Sequence, residues 1–227
     1  WHDGGAGRIE TWLEETHGYH IACFINPSDK HIDINPKEIQ RDVSQFSYPT
    51  SDSFKGRPLI NKYKWVEYLI LNGITKALIT TEDPKRRYNE IIYAKKHNIE
   101  LINAIHPTAQ IEKDVILKEN IILHERAVIS YRAELYDGTI IDGAMIGHHC
   151  VIRECCFVTY GAVLGGNVTL GKLSTVFIGA MIKNRTKIGE NVVIGAGAVV
   201  FNDVNHNSLV IQKPGKVTVD DFYKQSN

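Results

Sequence analysis

The sequence lacks a surplus of either charge. Lys and Arg number 26, Asp and Glu also 26, and the formal net charge is zero. A phosphate-binding surface needs a basic excess, so nucleic acid is not expected as the main partner. No run of 18 apolar residues occurs, so no membrane insertion is expected. No signal-peptide pattern is visible at the start, which opens on Trp1. Cysteine is scarce: Cys23, Cys150, Cys155 and Cys156. Cys155 and Cys156 are sequence neighbours and poorly placed to pair, so the chain reads as a reduced, cytoplasmic protein. A length of 227 residues allows one or two domains.

What is present is a beat of six. Ile111, Leu117, Leu123, Ile129, Leu135 and Ile141 fall six apart. After one five-residue step the beat resumes at Ile146 and runs through Ile152, Val158, Leu164, Leu170, Val176, Ile182, Ile188 and Ile194 to Val200. Two residues before each beat stands a second core-type residue, among them Ala127, Ala133, Ala144, Cys150, Cys156, Ala162, Val168 and Ala198. A period of six fits neither a 3.6-residue helix nor simple strand alternation, and it is the signature of a parallel β-helix. Each repeat is a short strand and a turn, with the beat residue and the one two before it facing inward. Three repeats close a triangular coil. Sixteen repeats make about five coils, or ~24 Å of stack at the ~4.8 Å strand spacing. Gly often follows the beat, as at Gly147, Gly165, Gly171, Gly189 and Gly195, and is read as a turn-permitting residue.

Residues 1–104 carry no such beat and read as a small α/β unit. His2 to Arg8 is a glycine-rich turn leading into a helix over Ile9–Thr16, a geometry that presents backbone N–H groups to a phosphate or simply makes a tight turn. Tyr19–Ile25 reads as a strand, 28–58 as loop, Lys62–Asn72 as a helix ended by Gly73, Lys76–Thr81 as a strand, Lys85–Asn98 as a helix, and Glu100–Ala104 as a last strand. This order predicts a small parallel sheet. The basic run Lys85-Arg86-Arg87 reads as a solvated helix face. Beyond Val200, the segment to Lys216 reads as a cap on the open end of the β-helix.

Several stretches together resemble a known family. They are Gly4-Gly5-Ala6-Gly7, Phe24-Ile25-Asn26, Ile105-His106-Pro107-Thr108-Ala109, His148-His149-Cys150-Val151-Ile152, Gly161-Ala162, Gly165-Gly166-Asn167-Val168, Ile194 to Val200, and Asn202-Asp203-Val204. The chain resembles bacterial nucleotide-sugar acyltransferases of the left-handed β-helix superfamily, which include sialic-acid O-acetyltransferases and amino-sugar N-acetyltransferases. The resemblance implies an N-terminal Rossmann-like domain over 1–104 that holds the sugar nucleotide. It implies a left-handed β-helix acyltransferase domain with its cap over 105–227. It implies a homotrimer with acetyl-CoA in the cleft between neighbouring β-helices, and no metal. Left-handedness comes from the resemblance alone, because general rules favour right-handed crossovers.

The same resemblance assigns roles. His148 is the general base; an imidazole accepts a proton near neutrality, and a positioned base contributes about 10²–10⁴-fold. Without the resemblance, His148 would read as a solvated turn residue. Gly165 and Gly166 stand near the thioester, Gly195, Ala196, Gly197 and Ala198 beside the pantetheine arm, and Lys213 or Lys216 near the CoA phosphates. Gly4, Gly5, Ala6, Gly7 and Asn26 meet the nucleotide. Three positions depart from the family. His149 stands where an acid usually follows the base, with Asp142 and Glu154 as substitutes one repeat to either side. Phe157 replaces a His near the acetyl group, and Asn26 replaces an acid. His106 reads as a structural entry to the first coil, and His97, His124 and His206 as surface residues. The implied activity is acetyl-CoA-dependent N-acetylation of a nucleotide-linked amino-dideoxy sugar in surface-glycan synthesis. O-acetylation, or a non-catalytic sugar-nucleotide-binding role, is the alternative. A metal at His148-His149 is disfavoured, since adjacent residues of a β-chain point apart and no third ligand is suitably spaced.

Overall fold

The computed structural model describes residues 4–26 and 52–212. The predicted cap beyond 212, with Lys213 and Lys216, lies outside the described residues, as does the predicted loop over 28–51. From Ala104 to Val210 the chain winds as a three-sided solenoid of two-residue strands, all paired in parallel into a seven-stranded, a six-stranded and a five-stranded sheet. Partners lie about one coil apart in sequence, as in Ile140 with Phe157 and Val163 with Met181. The stack is longer than the expected five coils. Ala104–Ile105 already pairs with Ile122–Leu123, and Leu209–Val210 pairs with Val193–Ile194. The first part of the expected cap is therefore a further coil.

The inward set is the one the beat specifies. Ile129, Leu135, Ile141, Ile146, Ile152, Val158 and Leu170 are fully buried, together with Ala127, Ala133, Cys150, Cys156, Ala162 and Val168. The role expected of the glycines is corrected. The left-handed residue of each turn comes three after the beat, as at Asn120, His149, Asn167 and Arg185, not at the glycine that follows the beat. Gly147 and Gly171 answer to crowding instead. A Cβ on either would stand 2.7 Å or 2.4 Å from the backbone of the next coil. The five-residue step shortens one corner to Asp142-Gly143, where Gly143 takes a φ of 62°.

The N-terminal unit begins with α1 (Gly4–His17), so the glycine run forms the first turns of the helix and is not a turn before it. The reason is close approach: a Cβ on Gly7 would meet the Phe54 ring at 2.9 Å, and one on Gly5 the Thr80 carbonyl at 3.1 Å. Next come β1 (Phe24–Asn26), β2 (Ser53–Phe54), β3 (Arg57–Asn61), α2 (Trp65–Leu71), β4 (Lys76–Ala77), α3 (Pro84–Lys96) and β5 (Glu100–Leu101). The end of the expected 28–58 loop is thus an antiparallel β2–β3 pair. In place of one parallel sheet there are two small ones, β1-β3-β2 and β4-β5. The parallel pairings β1–β3 and β4–β5 are present, but no continuous Rossmann-like sheet joins them among the described residues.

Several contacts dock this unit on the solenoid. Ile9, Trp12 and Leu13 of α1 pack on the outward Ile122 and Ile140 of the seven-stranded sheet, with Phe157 at the edge of the cluster. Arg87 of α3 is fully buried, against its expected solvated place. It donates to the carbonyls of Thr81, Glu82, Gly138, Cys155 and Cys156, which satisfies the guanidinium without a carboxylate. Asn120 adds a two-way amide pairing with the backbone of Ile79.

Candidate active site

Turns spaced by one coil stack into three corners, and the corner between the six- and five-stranded sheets carries His148. Above it in register stand Gly166, Asn184 and Asn202. The ladder is fixed by backbone bonds: Asn167 N–H to the His148 carbonyl at 2.8 Å, and Arg185 N–H to the Gly166 carbonyl at 2.9 Å. The imidazole lies against the Gly166 backbone, where a Cβ would stand 2.4 Å from Nε2. Only glycine leaves room for the ring there. Asn184 closes on Gly165 in the same way, at 2.7 Å. The result is a groove of about 930 Å³ that starts at His148 and runs up the corner past Asn167, Lys183, Asn184 and Arg185 to Phe201, Asn202 and Asp203.

His148 Nδ1 lies 3.0 Å from His149 Nδ1. One of the two must donate and the other accept. If His148 carries its proton on Nδ1, His149 accepts it and the Nε2 lone pair of His148 faces the groove. His149 in turn meets the Tyr131 ring edge-on at 5.7 Å. The contact with His149 therefore fixes the orientation of the His148 ring, although it brings no negative charge.

Asp142 is not at this corner. It belongs to the corner between the seven- and six-stranded sheets, where Arg8 of α1 donates to it at 3.2 Å and also bonds Glu125. Burial opposes the Arg8 charge, but the Glu125 hydrogen bond and the Asp142 carboxylate outweigh it and keep the guanidinium protonated. Tyr160 sits one coil above Asp142, with the Arg8 guanidinium 5.5 Å from its ring centre. His124, expected at the surface, is buried below Asp142; desolvation depresses its pKa, and its Nδ1 has no hydrogen-bond partner among the described residues. His124, Glu125 and Asp142 hold ligand-type atoms within 4.8 Å of one another, but Arg8 already bonds both carboxylates and offsets part of their charge.

The remaining candidates divide in the same way. Gly195, Ala196 and Gly197 lie on the Asp142 corner, above Tyr160 and Ile178, and lead into the inward-facing Ala198; Glu154 lies on the third corner. Phe157 is turned outward against the N-terminal unit, away from His148. Gly5, Ala6 and Asn26 line a second cavity of about 700 Å³ inside the N-terminal unit, with Lys62, Thr80 and Glu90. Within one chain, His148 and Asp142 thus stand on two different corners with the six-stranded sheet between them. Sequence reading missed Lys183, Asn184, Arg185, Asn202, Tyr160 and Arg8. All but Arg8 were open to a count of one to three coils up from His148 or Asp142; Arg8 had only its place after the glycines as a sign.

No family model matches the chain, and no curated protein does. Solved structures do. Perosamine N-acetyltransferase from Caulobacter crescentus, in complex with CoA and GDP-perosamine, is 26% identical with a TM-score of 0.68, over 73% of this chain and 79% of that one. The acetyltransferase domain of PglB from Neisseria gonorrhoeae is 22% identical with a TM-score of 0.74, over 91% of each chain. WeeI from Acinetobacter baumannii is 16% identical with a TM-score of 0.61, over 96% of this chain and 97% of that one. The latter two similarities are of fold. Together with the six-residue beat and the three-sided solenoid, these matches show that the chain has the β-solenoid fold of hexapeptide-repeat acyltransferases.

Proposed function

We propose that the protein transfers the acetyl group of acetyl-CoA to the amine of a nucleotide-linked amino-dideoxy sugar, in the cytoplasm, for surface-glycan synthesis. The observation that carries this reading is His148 at the head of the corner groove, its Nδ1 on His149 and its Nε2 over Gly166. In the reaction the neutral sugar amine attacks the thioester carbonyl. His148 Nε2 takes a proton from the attacking nitrogen and returns it to the departing CoA sulfur. The carbonyl oxygen becomes negative in between, and an aimed backbone N–H stabilises it. No backbone carbonyl among the described residues accepts the Gly166 N–H, which makes it the donor we assign to that oxygen. His149 is neutral when it accepts from His148, so it stabilises the imidazolium less than a carboxylate would. That favours an amine acceptor over a hydroxyl, which needs a stronger base.

The sugar nucleotide is assigned to the N-terminal unit, residues 1–104, whose cavity is bounded by the start of α1 and by Asn26. Catalysis is assigned to residues 105–227. A homotrimer joins the two corners. The outer face of the six-stranded sheet is uncovered and apolar, with Met145, Val163, Met181 and Val199 all exposed. Tyr160 and Ile178 continue it on the Asp142 side and Phe201 on the His148 side, all exposed. Around a threefold axis these faces bury one another, and the His148 corner of one copy meets the Asp142 corner of the next. Ala196 and Gly197 of that neighbour then flank the acetyl-CoA arm.

The test is direct. Acetyl-CoA is mixed with UDP-, GDP- and dTDP-linked amino sugars and free thiol is followed. Thiol release with one of them, lost in His148→Ala, supports the reading. Tight sugar-nucleotide binding with no release from any acceptor would replace it with a binding role.

A further inference from the structure

The two small sheets of the N-terminal unit face each other across a gap. The cavity of about 700 Å³ is that gap, with residues 19–26 along one wall and residues 74–81 along the other. On the second wall, Thr75 and Ala77 turn their carbonyls towards the β5 side, and Ile79 turns its N–H and C=O to Asn120. The alternate residues turn theirs to the gap. The main-chain N–H and C=O of Leu78 and Thr80 have no hydrogen-bond partner among the described residues, and neither have those of Ala22 on the first wall. The gap is apolar above and below. Leu78 and Ile102 cluster with Ile9 and Leu13 of α1, whereas Ile79 and Leu101 cluster with Trp65 and Leu69 of α2, so the two groups lie on opposite faces of the sheet.

We infer that the gap seats a central β-strand, an extended apolar segment that runs parallel to β1 and β4 and leads straight into α1. Unpaired strand edges are templates for a further strand, and here two of them face one another. Both walls end beside the start of α1: a Cβ on Gly5 would stand 3.1 Å from the Thr80 carbonyl, and Asn26 lines the cavity with Gly5 and Ala6. A strand running the same way as β4 therefore ends at Gly4. The 14-residue α1 then crosses over to β1, as neighbouring parallel strands require. The unit β4-α3-β5 beside it is built in the same way. The joined sheet reads β2-β3-β1-strand-β4-β5. A strand in that place is buried on both faces, so its side chains meet Ile9 and Leu13 on one side and Trp65 and Leu69 on the other, and all are apolar. About five or six residues, ~17–20 Å, suffice. The sugar nucleotide keeps the open end of the gap, at Gly5 and Asn26, where the carboxyl ends of the strands meet α1.

The experiment fuses a run of about six Val and Ile residues ahead of Trp1 of the full chain and follows thermal unfolding and amide hydrogen exchange. Runs of equal length in Gly-Ser and in Val-Pro are the controls. The Val-Ile run is expected to raise Tm by about 5 °C or more and to slow exchange at Leu78 and Thr80 by at least tenfold. The Gly-Ser run should do neither. The Val-Pro run is apolar but cannot pair along both edges, and should leave both amides unprotected. If the Val-Ile chain precipitates, a Val-Thr run, more soluble and equally strand-forming, decides by the same readouts. If the Val-Ile and Val-Pro runs protect alike, or no run protects Leu78 and Thr80, the inference is wrong. It is wrong too if the unextended chain already protects both amides, through another of its segments or a second copy. Protection of both amides in the unextended chain by saturating GDP- or UDP-sugar alone would make the gap a ligand cavity and overturn the inference while leaving the acetyltransferase reading intact.

Discussion

His148 works through what surrounds its ring, so the informative substitutions lie on and around it. His148→Ala should lower kcat by about 10²–10⁴-fold. Gly166→Ala should cost a comparable part of that, because its Cβ would stand 2.4 Å from Nε2 and the ring must move, while thermal stability changes little. His149→Ala should cost less, up to about tenfold, the worth of one neutral hydrogen bond. His149→Glu should raise kcat above wild type, since a carboxylate at the same 3.0 Å position would orient the ring and offset its charge. Steady-state rates on the four variants check the order. His124 gives a separate prediction about stability. Burial depresses its pKa, so the folded chain holds it neutral while the unfolded chain protonates it below pH ~6.5. The unfolded state then binds more protons, and stability falls as pH drops through that range. Denaturant midpoints from pH 7 to pH 5 should fall more for the wild type than for His124→Phe, and a parallel fall in both would contradict this.

At the scale of the element, the solenoid coil and the docking helix have different weak points. Leu135→Ala or Ile152→Ala removes a fully buried side chain from the stack and should cost about 2–5 kcal/mol. Arg87→Leu should cost at least about 3 kcal/mol, since it strips several buried carbonyls of their donor at about 1–3 kcal/mol each. Equilibrium unfolding measures both. The coil was legible in the sequence because its period, its inward residues and its one short corner are local and repeat sixteen times. Arg87 was not, because a Lys-Arg-Arg run on a helix looks solvated until the carbonyls of Gly138 and Cys155, far along the chain, are placed beside it. The same cause hid Arg8 and buried His124. The α/β unit was read with blurred ends, as its strands are two to five residues long and its glycines serve close helix packing where a turn was expected. His148 was singled out through resemblance alone, and its groove neighbours Asn184 and Asn202 were within reach of a simple count up the corner.

At the scale of the whole molecule, the two halves of the proposed site stand on opposite edges of the six-stranded sheet, and a second copy is needed to join them. A charge on the uncovered face, as in Val163→Asp or Met181→Asp, should yield a folded monomer by sedimentation that has lost turnover although His148 is intact. Complementation asks the question most directly. His148→Ala removes the base and leaves the Asp142 corner whole; Ala196→Trp blocks the Asp142 corner and leaves the base. Each should be inactive alone. Co-assembled from equal amounts with distinguishable tags, the whole population should regain about a quarter of wild-type activity and isolated mixed trimers about a third, because every mixed heterologous ring of three pairs one intact corner of each kind at one interface. Mixed trimers that form in full and stay inactive would contradict a site built between copies around His148.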